Sequence, residues 1–237
     1  MPAELSGRMP LNLGEDISSA GGYSYFEQEA YIARTPSDPR HLNPVFPEGA
    51  RVISVGCGGG WEGETVGTSR FVGVDIDEKA RDFRIARNPI AEFRLANGEQ
   101  LPFADGEFTF YMARVSIMYM DIRKCFSEAY RVLANDGHIW FTCHDFNHVW
   151  AHLRWSLSAL RLKDVIYRTY VILNGLLYHS LGVLIHFPLR RSRIESFQTR
   201  EGIRRGLLLA GFSDVQFPET QHGQFLVTAR KQARSAN

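Results

Sequence analysis

The sequence predicts an α/β fold in which helices cover both faces of a mostly parallel sheet. Two observations support this prediction. Short β-branched and aromatic runs alternate with helical patterns from Arg51 to Asp145, and the alternation returns after Thr199. The first run, Val52 to Val55, leads directly into a cluster of glycines, as a strand does when its end approaches a ligand.

The predicted elements follow the chain in order. Strands are expected at 52–55, 71–74, 92–95, 108–113 and 138–143, and a final pair at 214–217 and 224–228. Helices are expected at 79–86, 121–133 and 199–209, and a short amphipathic helix at 25–32. Asn135-Asp136-Gly137 provides the stop signal of the second of these helices, 121–133.

Composition narrows the class of protein. The 237 residues are 44% hydrophobic and 22% charged, which is typical of a globular protein. A net charge of +1 gives no overall basic field, so no nucleic-acid partner is expected. Cys57, Cys125 and Cys143 contain no CxxC pair, which argues against a disulfide framework or a zinc site. Because no signal-peptide pattern is found near the first residue, we expect a cytoplasmic protein.

The glycine cluster predicts a nucleoside site. Gly56, Gly58 and Gly60 follow a GxGxG spacing, and Trp61 stands where a dinucleotide fingerprint has its third glycine. No phosphate-loop Lys-Ser/Thr follows. Asp75 ends the second strand, at the position where such sheets place a carboxylate for ribose hydroxyls. A tight turn that binds no ligand would show the same glycines.

Four motifs extend this pattern. They are VGCGGG, FVGVDIDEKA, ANGEQLPFADGEFTFYMA and RVLANDGHIWFT. With them, residues 51–145 resemble the class I S-adenosylmethionine-dependent methyltransferases that act on small molecules. The resemblance implies a Rossmann-like three-layer sandwich with seven strands, the last of them antiparallel. It also implies S-adenosylmethionine as cofactor and S-adenosylhomocysteine as product.

The resemblance assigns roles to individual residues. Cofactor contacts are implied for Gly56, Cys57, Gly58, Gly60, Asp75, Ile76, Asn97, Gly98, Glu99, Ala113 and Arg114. The glycines would line the amino-acid end, Asp75 would accept from both ribose hydroxyls, and Ile76 would pack on adenine. Asn97 and the Gly98 backbone would read the adenine ring. Ala113 and Arg114, at the end of the fourth predicted strand, would line the methionine end. As local alternatives, Asp75 caps the next helix and Asn97 closes an Asx turn.

One departure from the family pattern concerns charge. The family has an acid two residues before the first glycine, where this chain has Ser54. A hydroxyl supplies no negative charge for the methionine end. A non-catalytic protein that binds S-adenosylmethionine or S-adenosylhomocysteine is therefore kept as an alternative.

Transfer to an oxygen acceptor needs a general base. His144 directly follows the fifth strand and is the first candidate; His148 and Tyr119 are weaker ones, and a merely structural histidine is the alternative. Arg114-Val115-Ser116-Ile117 replaces the Pro-Pro-aromatic motif of enzymes that methylate nucleic-acid amino groups. No metal site is expected, since metal-ligand spacing is missing.

The domains follow from where the resemblance stops. Residues 1–50 are expected to form an N-terminal helix and cap, 51–145 with 195–237 the cofactor domain, and 146–194 a helical insertion. Residues 151–200 contain eight basic residues and only two acidic ones. The insertion is interpreted as a lid over the acceptor, as a peripheral membrane contact or as a homodimer contact.

The predicted function is methylation of a small or lipid-like acceptor at oxygen. The acceptor can also be lipid-linked, and the alternative is a membrane-associated methyltransferase of an isoprenoid or glycolipid.

Overall fold

The computed structural model describes residues 26–27, 31–32, 35, 41–59, 67–87, 92–191, 193–220 and 224–232. Gly60, Trp61 and four of the eight residues of the predicted helix at 25–32 lie outside the described residues.

Seven strands form one sheet. They are β1 Arg51–Val55, β2 Arg70–Asp75, β3 Glu92–Leu95, β4 Phe108–Arg114, β5 Leu133–His144, β6 Phe212–Gln216 and β7 Gln224–Lys231. Their order across the sheet is β3-β2-β1-β4-β5-β7-β6. The pairs among β1 to β5 are parallel, and β7 runs antiparallel to both β5 and β6. The predicted fold class is confirmed.

Five α-helices accompany the sheet in the described stretches from residue 67 onward. They are α1 Glu78–Arg87, α2 Ile122–Val132, α3 Phe146–Ser158, α4 Leu162–Leu181 and α5 Arg200–Ala210. Three begin at a side-chain cap: Asp121, Asp145 and Thr199 each accept a hydrogen bond from a backbone N–H in the first turn. α5 ends at Gly211, whose φ of 101° closes the helix in the left-handed region.

The boundary between α2 and β5 differs from the prediction. The helix ends at Val132 and the strand begins at Leu133, before the predicted stop signal. Asn135-Asp136-Gly137 instead lies in an irregular part of the strand, because Phe108 pairs with Leu133 while Phe110 pairs with His138. The extra residues of β5 leave the ladder there, and Asp136 adopts a φ of 62°.

The two faces of the sheet belong to separate apolar clusters. On one face, side chains of β1, β4 and β5 pack around Phe46. On the other, the same strands pack against α2 and α5, with Phe126 and Ile203 among the buried side chains. The sheet is thereby fixed from both sides, and the carboxyl ends of β1, β2, β4 and β5 meet at one edge.

The insertion contains α3 and α4, joined by residues 159–161. Residues 169–187 contain no Lys, Arg, Asp or Glu. They do not form one helix, because α4 ends at Leu181 and is capped by Gly182, which has a φ of 69°. Among the described helices, none has the length and apolar character needed to cross a membrane. The division of the chain into three domains stays a prediction.

Candidate functional site

The glycine turn after β1 is held by β2 and pressed against the end of β4. The N–H groups of Gly56 and Cys57 both donate to the Val74 carbonyl, at 2.8 and 3.1 Å. Gly56 has a φ of 66°, and a Cβ built on it would lie 2.3 Å from the Cβ of Ser116. Only glycine fits this position, both for its backbone angle and for the close approach.

Asp75, at the end of β2, ties two loops together. Its Oδ2 accepts from the Gly58 N–H at 2.9 Å, and its Oδ1 accepts from the Asp77 N–H at 3.0 Å. Burial raises the pKa of this carboxyl, and the backbone hydrogen bonds oppose that change. Each carboxylate oxygen can accept more than one hydrogen bond. The group therefore keeps capacity for a pair of hydroxyl donors beside the glycine turn.

An apolar side chain and an amide lie next to this carboxylate. Ile76 is 73% exposed, although it follows a buried strand. Asn97 is exposed, and its Oδ1 accepts a hydrogen bond from the Glu99 N–H at 2.9 Å. This hydrogen bond closes the Asx turn that was given above as the local alternative for Asn97. Gly98 is buried, and a Cβ added there would lie 2.6 Å from Cγ1 of Val55. The loop after β3 thus lies directly on the end of β1.

Glu99 has a structural task in this loop. Its Oε1 accepts from the Asp121 N–H at 3.0 Å, and its Oε2 lies 3.5 Å from Nζ of Lys124. Glu99 therefore anchors the loop of Gly98 to the start of α2. A contact of its own with the cofactor stays a prediction.

The end of β4 contains a feature that the sequence analysis missed. Ala113 is buried and Arg114 half-buried, and the next residue, Val115, has a φ of 50°. A β-branched residue in the left-handed region is strained. Val115 is held there by its N–H, which donates to Oγ1 of Thr142 at 3.1 Å, while Oγ of Ser116 donates to the Val55 carbonyl at 2.7 Å. No sequence signal marks this strain.

These groups fit the implied cofactor. S-adenosylmethionine presents two ribose hydroxyls, an adenine ring and a methionine chain. The described residues offer the carboxylate of Asp75, the exposed side chain of Ile76 with the amide of Asn97, and the glycine turn, where the backbone can approach a ligand closely. Ser54 is buried within β1 and 1% exposed, so a carboxylate is absent from that position. The fit covers the nucleoside end of the cofactor more fully than its charged end.

Three histidines form a column at the end of β5. His144 stacks on His148 with ring centroids 3.7 Å apart, and His148 lies 4.7 Å from His152. His148 and His152 are one turn apart on α3, and the Asp145 cap fixes where that helix starts. Nδ1 of His144 is buried and has no hydrogen-bond partner among the described residues.

The environment keeps the column uncharged. Burial lowers the pKa of His144 to about 3, with smaller contributions from the other two histidines and Arg168. Burial, His148 and Arg168 lower the pKa of His152 to about 4, and the pKa of His148 is lowered too. The position of His144 at the sheet edge is the predicted one, but an imidazole with this pKa is a weak base.

A buried ion pair fastens α4 to the segment that precedes α5. Oε1 of Glu195 lies 3.2 Å from Nη1 of Arg168, and Oε2 accepts from the Tyr167 hydroxyl at 2.5 Å. The Glu195 carbonyl accepts from Nδ2 of Asn174 at 2.9 Å. Burial raises the pKa of Glu195, while Arg168 and Tyr167 oppose the change. The sequence analysis did not single out Glu195.

The same segment connects the ends of β4 and β5. The Ser196 N–H donates to the Met118 carbonyl at 3.2 Å, and the Gln198 N–H donates to the His144 carbonyl at 3.2 Å. Oε1 of Gln198 is buried and has no hydrogen-bond partner among the described residues. Two buried polar atoms at the sheet edge, Nδ1 of His144 and this oxygen, thus lack a hydrogen-bond partner among the described residues.

An open cleft of about 580 Å³ lies beside these groups, at the β5 and β7 side of the edge. It is lined by Asp145, Phe146, Gln198, Thr199, Arg200, Glu219, Thr220 and Phe225. No three His, Cys, Asp or Glu side chains of the described part of the chain are arranged to hold a metal ion.

A sheet of this strand order, with a glycine turn bonded to a β2 carboxylate, defines the class I methyltransferase fold. Residues 53–141 match the family described as "Methyltransferase domain". Over these residues the chain is similar to the class I S-adenosylmethionine-dependent methyltransferases. The matched range includes the glycine turn, Asp75 and Asn97, and it ends before His144 and the insertion.

A curated relative shows the same similarity. The ubiquinone/menaquinone biosynthesis C-methyltransferase UbiE of Rickettsia felis is 38% identical over 148 residues, which cover 62% of this chain and 55% of the relative. The chain thus spans about half the length of the curated relatives it matches.

Two solved structures share the fold. A SAM-dependent methyltransferase from Methanosarcina mazei gives a TM-score of 0.53 at 20% identity, over 81% of this chain and 99% of that one. A SAM-dependent methyltransferase from Thermotoga maritima gives a TM-score of 0.59 at 16% identity, over 89% of this chain and 96% of that one. At these identities the likeness shows the fold alone.

Proposed function

We propose that this protein transfers a methyl group from S-adenosylmethionine to a small apolar acceptor. One observation carries the proposal. The carboxylate of Asp75 is bonded to the Gly58 N–H at 2.9 Å, which brings a hydroxyl acceptor and a glycine turn together at the carboxyl edge of the sheet. The family match covers the whole of that arrangement.

The cofactor roles follow the geometry of the edge. Asp75 accepts from the ribose hydroxyls, and Ile76 loses its exposure by packing on adenine. Asn97 Oδ1 accepts from the adenine amino group with its second lone pair. Gly56, Cys57 and Gly58, with Gly60, line the amino-acid end, and Ala113 and Arg114 line the methionine end.

The bound cofactor supplies a methyl group that is already activated on a sulfonium. The chain's own residues then have to position the acceptor in line and exclude water. The segment 194–198 suits this task because it spans the ends of β4 and β5 and is buried under α4. Its Glu195 anchor keeps the segment in place, so Glu195 is a positioning residue.

The cleft beside Gln198 and Phe225 supplies room for the acceptor. Phe146 and Phe225 give it apolar walls, and Gln198 places an uncompensated amide oxygen near it. An apolar molecule with one or two hydrogen-bonding groups matches such a lining. A small-molecule acceptor is also what the printed names of the curated relatives imply for those proteins.

His144 supports a particular kind of acceptor. Because its pKa is lowered to about 3, it is neutral at pH 7 and takes a proton poorly. This favours an acceptor that ionises readily by itself. The reacting atom is then the oxygen that the sequence predicts, or a ring carbon activated by that oxygen, as the C-methyltransferase name of the relatives suggests.

A library of phenolic and enolic acceptors with S-adenosylmethionine carrying a ¹³C-labelled methyl tests the proposal. The ¹³C resonance of the product separates O-methyl from C-methyl groups. Turnover of at least one apolar acceptor supports the proposal. Cofactor binding without turnover across the library, in assays where a known methyltransferase succeeds, favours the non-catalytic alternative that Ser54 motivates.

A further inference from the structure

The helix α4 presents an apolar face to solvent. One side of the helix is buried, with Tyr167, Val171 and Tyr178 at its centre. Leu162, Ile166, Leu173 and Leu176 are all exposed, and their spacing puts them on the opposite side. The remaining positions of that side, Thr169 and Ser180, are uncharged. The stripe from 162 to 176 is about 21 Å long at 1.5 Å per residue.

A further exposed leucine lies at the tip of the hairpin between α3 and α4, two residues before Leu162. Leu160 is 90% exposed and has a φ of 53°. A leucine in the left-handed region is strained, and glycine or asparagine is usual there. Neither the strain nor the exposure helps the chain to fold. A large apolar side chain held in this way indicates a surface that is covered in use.

The surroundings of the face are basic. Between residues 146 and 191 the exposed charged residues are all basic: Arg154, Lys163, Arg190 and Arg191. Arg168 is buried against Glu195 and adds nothing to this surface. Asp164 is paired with Arg161 at 2.9 Å. Arg154, Lys163 and Arg191 are exposed and make no ion pair with the described residues. An apolar stripe with positive margins is complementary to a negatively charged lipid surface.

We propose that this face, consisting of Leu160, Leu162, Ile166, Leu173 and Leu176, docks on a bilayer that contains anionic lipids. The hairpin lies in the plane of the interface, since no described helix is suited to spanning it. A second copy of the chain would bring like charges together across the same face. The inference goes beyond the proposed function, because docking requires neither cofactor nor acceptor.

Flotation of the full chain with vesicles tests the proposal at 0.1 M NaCl. We expect the protein to float with phosphatidylcholine vesicles that contain about 30% phosphatidylglycerol, and to stay at the bottom with phosphatidylcholine alone. The variant Leu173→Ser/Leu176→Ser lowers the partition coefficient about ten-fold or more. The control Leu208→Ser/Leu209→Ser, two exposed leucines of α5, leaves it unchanged.

Charge is tested with a matched pair of variants. Arg154→Gln/Lys163→Gln weakens binding at 0.1 M NaCl and makes less difference at 0.5 M, because salt screens the attraction. Arg94→Gln/Arg230→Gln removes two exposed arginines of the sheet and has no effect.

Leu160→Gly separates docking from folding. Glycine relieves the backbone strain, so thermal stability equals or exceeds that of the wild type. Vesicle binding nevertheless falls, since an apolar anchor is lost. The proposal is overturned if the wild type does not float with anionic vesicles, or if Leu173→Ser/Leu176→Ser binds them as well as the control Leu208→Ser/Leu209→Ser. It is equally overturned if light scattering shows a dimer that Leu173→Ser/Leu176→Ser dissociates while no vesicles are bound.

Discussion

The imidazole rings of His144 and His148 lie face to face, with centroids 3.7 Å apart and planes 3° from parallel. Two such rings cannot both be charged at this distance in a buried site. His152 and Arg168 add to the positive potential around His144. The column is therefore neutral at physiological pH, and this has consequences for stability.

Acid is expected to destabilise the protein between about pH 6.5 and pH 4. In the folded state the pKa of His144 is lowered to about 3 and that of His152 to about 4. In this pH range both histidines therefore bind protons in the unfolded chain but not in the folded protein. The free energy of unfolding then falls with decreasing pH, by up to about 1.4 kcal/mol per pH unit for each histidine. Glu195, whose pKa is raised, opposes the trend.

Urea unfolding at pH 7, 6 and 5 measures this slope. His152→Gln should flatten it, and His186→Gln, at an exposed histidine of the insertion, should leave it unchanged. Equal slopes for His152→Gln and the wild type would show that burial does not hold the column neutral.

Gly56→Ala is expected to cost more stability than Gly49→Ala. Both glycines have a positive φ, 66° and 71°, so alanine is strained at either position by about 1 kcal/mol. A Cβ on Gly49 meets nothing within 4 Å, whereas one on Gly56 lies 2.3 Å from the Cβ of Ser116. The excess, expected at about 2 kcal/mol, measures the close approach of the glycine turn to β4.

Ser116→Gly in the Gly56→Ala background removes the colliding atoms and should recover part of that excess in urea unfolding. If the two single alanine variants are equally stable, the turn does not press on β4 as described.

Removing Glu195 should destabilise the insertion strongly. Glu195→Ala leaves Arg168 buried without its carboxylate, and such a loss costs about 3–5 kcal/mol. Asp164→Ala breaks a more exposed ion pair with Arg161 in the same insertion and should cost under about 1 kcal/mol. Denaturant midpoints compare the two.

The double variant Glu195→Leu/Arg168→Leu removes both charges and should lose less stability than Glu195→Ala. A Glu195→Ala protein as stable as Asp164→Ala would contradict the role of Glu195 as an anchor.

Much of the fold could be predicted from the sequence because the relevant signals are local. The strand before Gly56 and the acid at Asp75 are both readable as patterns, and in the structure the Gly58 N–H joins the glycine turn to the Asp75 carboxylate. The start of β5 could not be placed, because Asn135-Asp136-Gly137 is a turn signal whether the chain turns or bulges within a strand.

The acceptor side depends on contacts that a sequence does not display. His148 and His152 are visibly one helical turn apart, but the stacking of His148 on His144 depends on the angle at which α3 leaves β5. Glu195 meets Arg168 across 27 residues, and the strain at Val115 exists only because Thr142 and Ser116 hold it. Chain connectivity alone gives no sign of either.

Calorimetric titration with S-adenosylmethionine and S-adenosylhomocysteine tests the central claim most directly. The wild type should bind both. Asp75→Asn should weaken binding about ten-fold or more, since an amide replaces a charged acceptor of the ribose hydroxyls. Asp82→Asn, which removes an exposed carboxylate of α1, should match the wild type. No heat at millimolar cofactor, or equal affinity of Asp75→Asn and the wild type, would contradict the account.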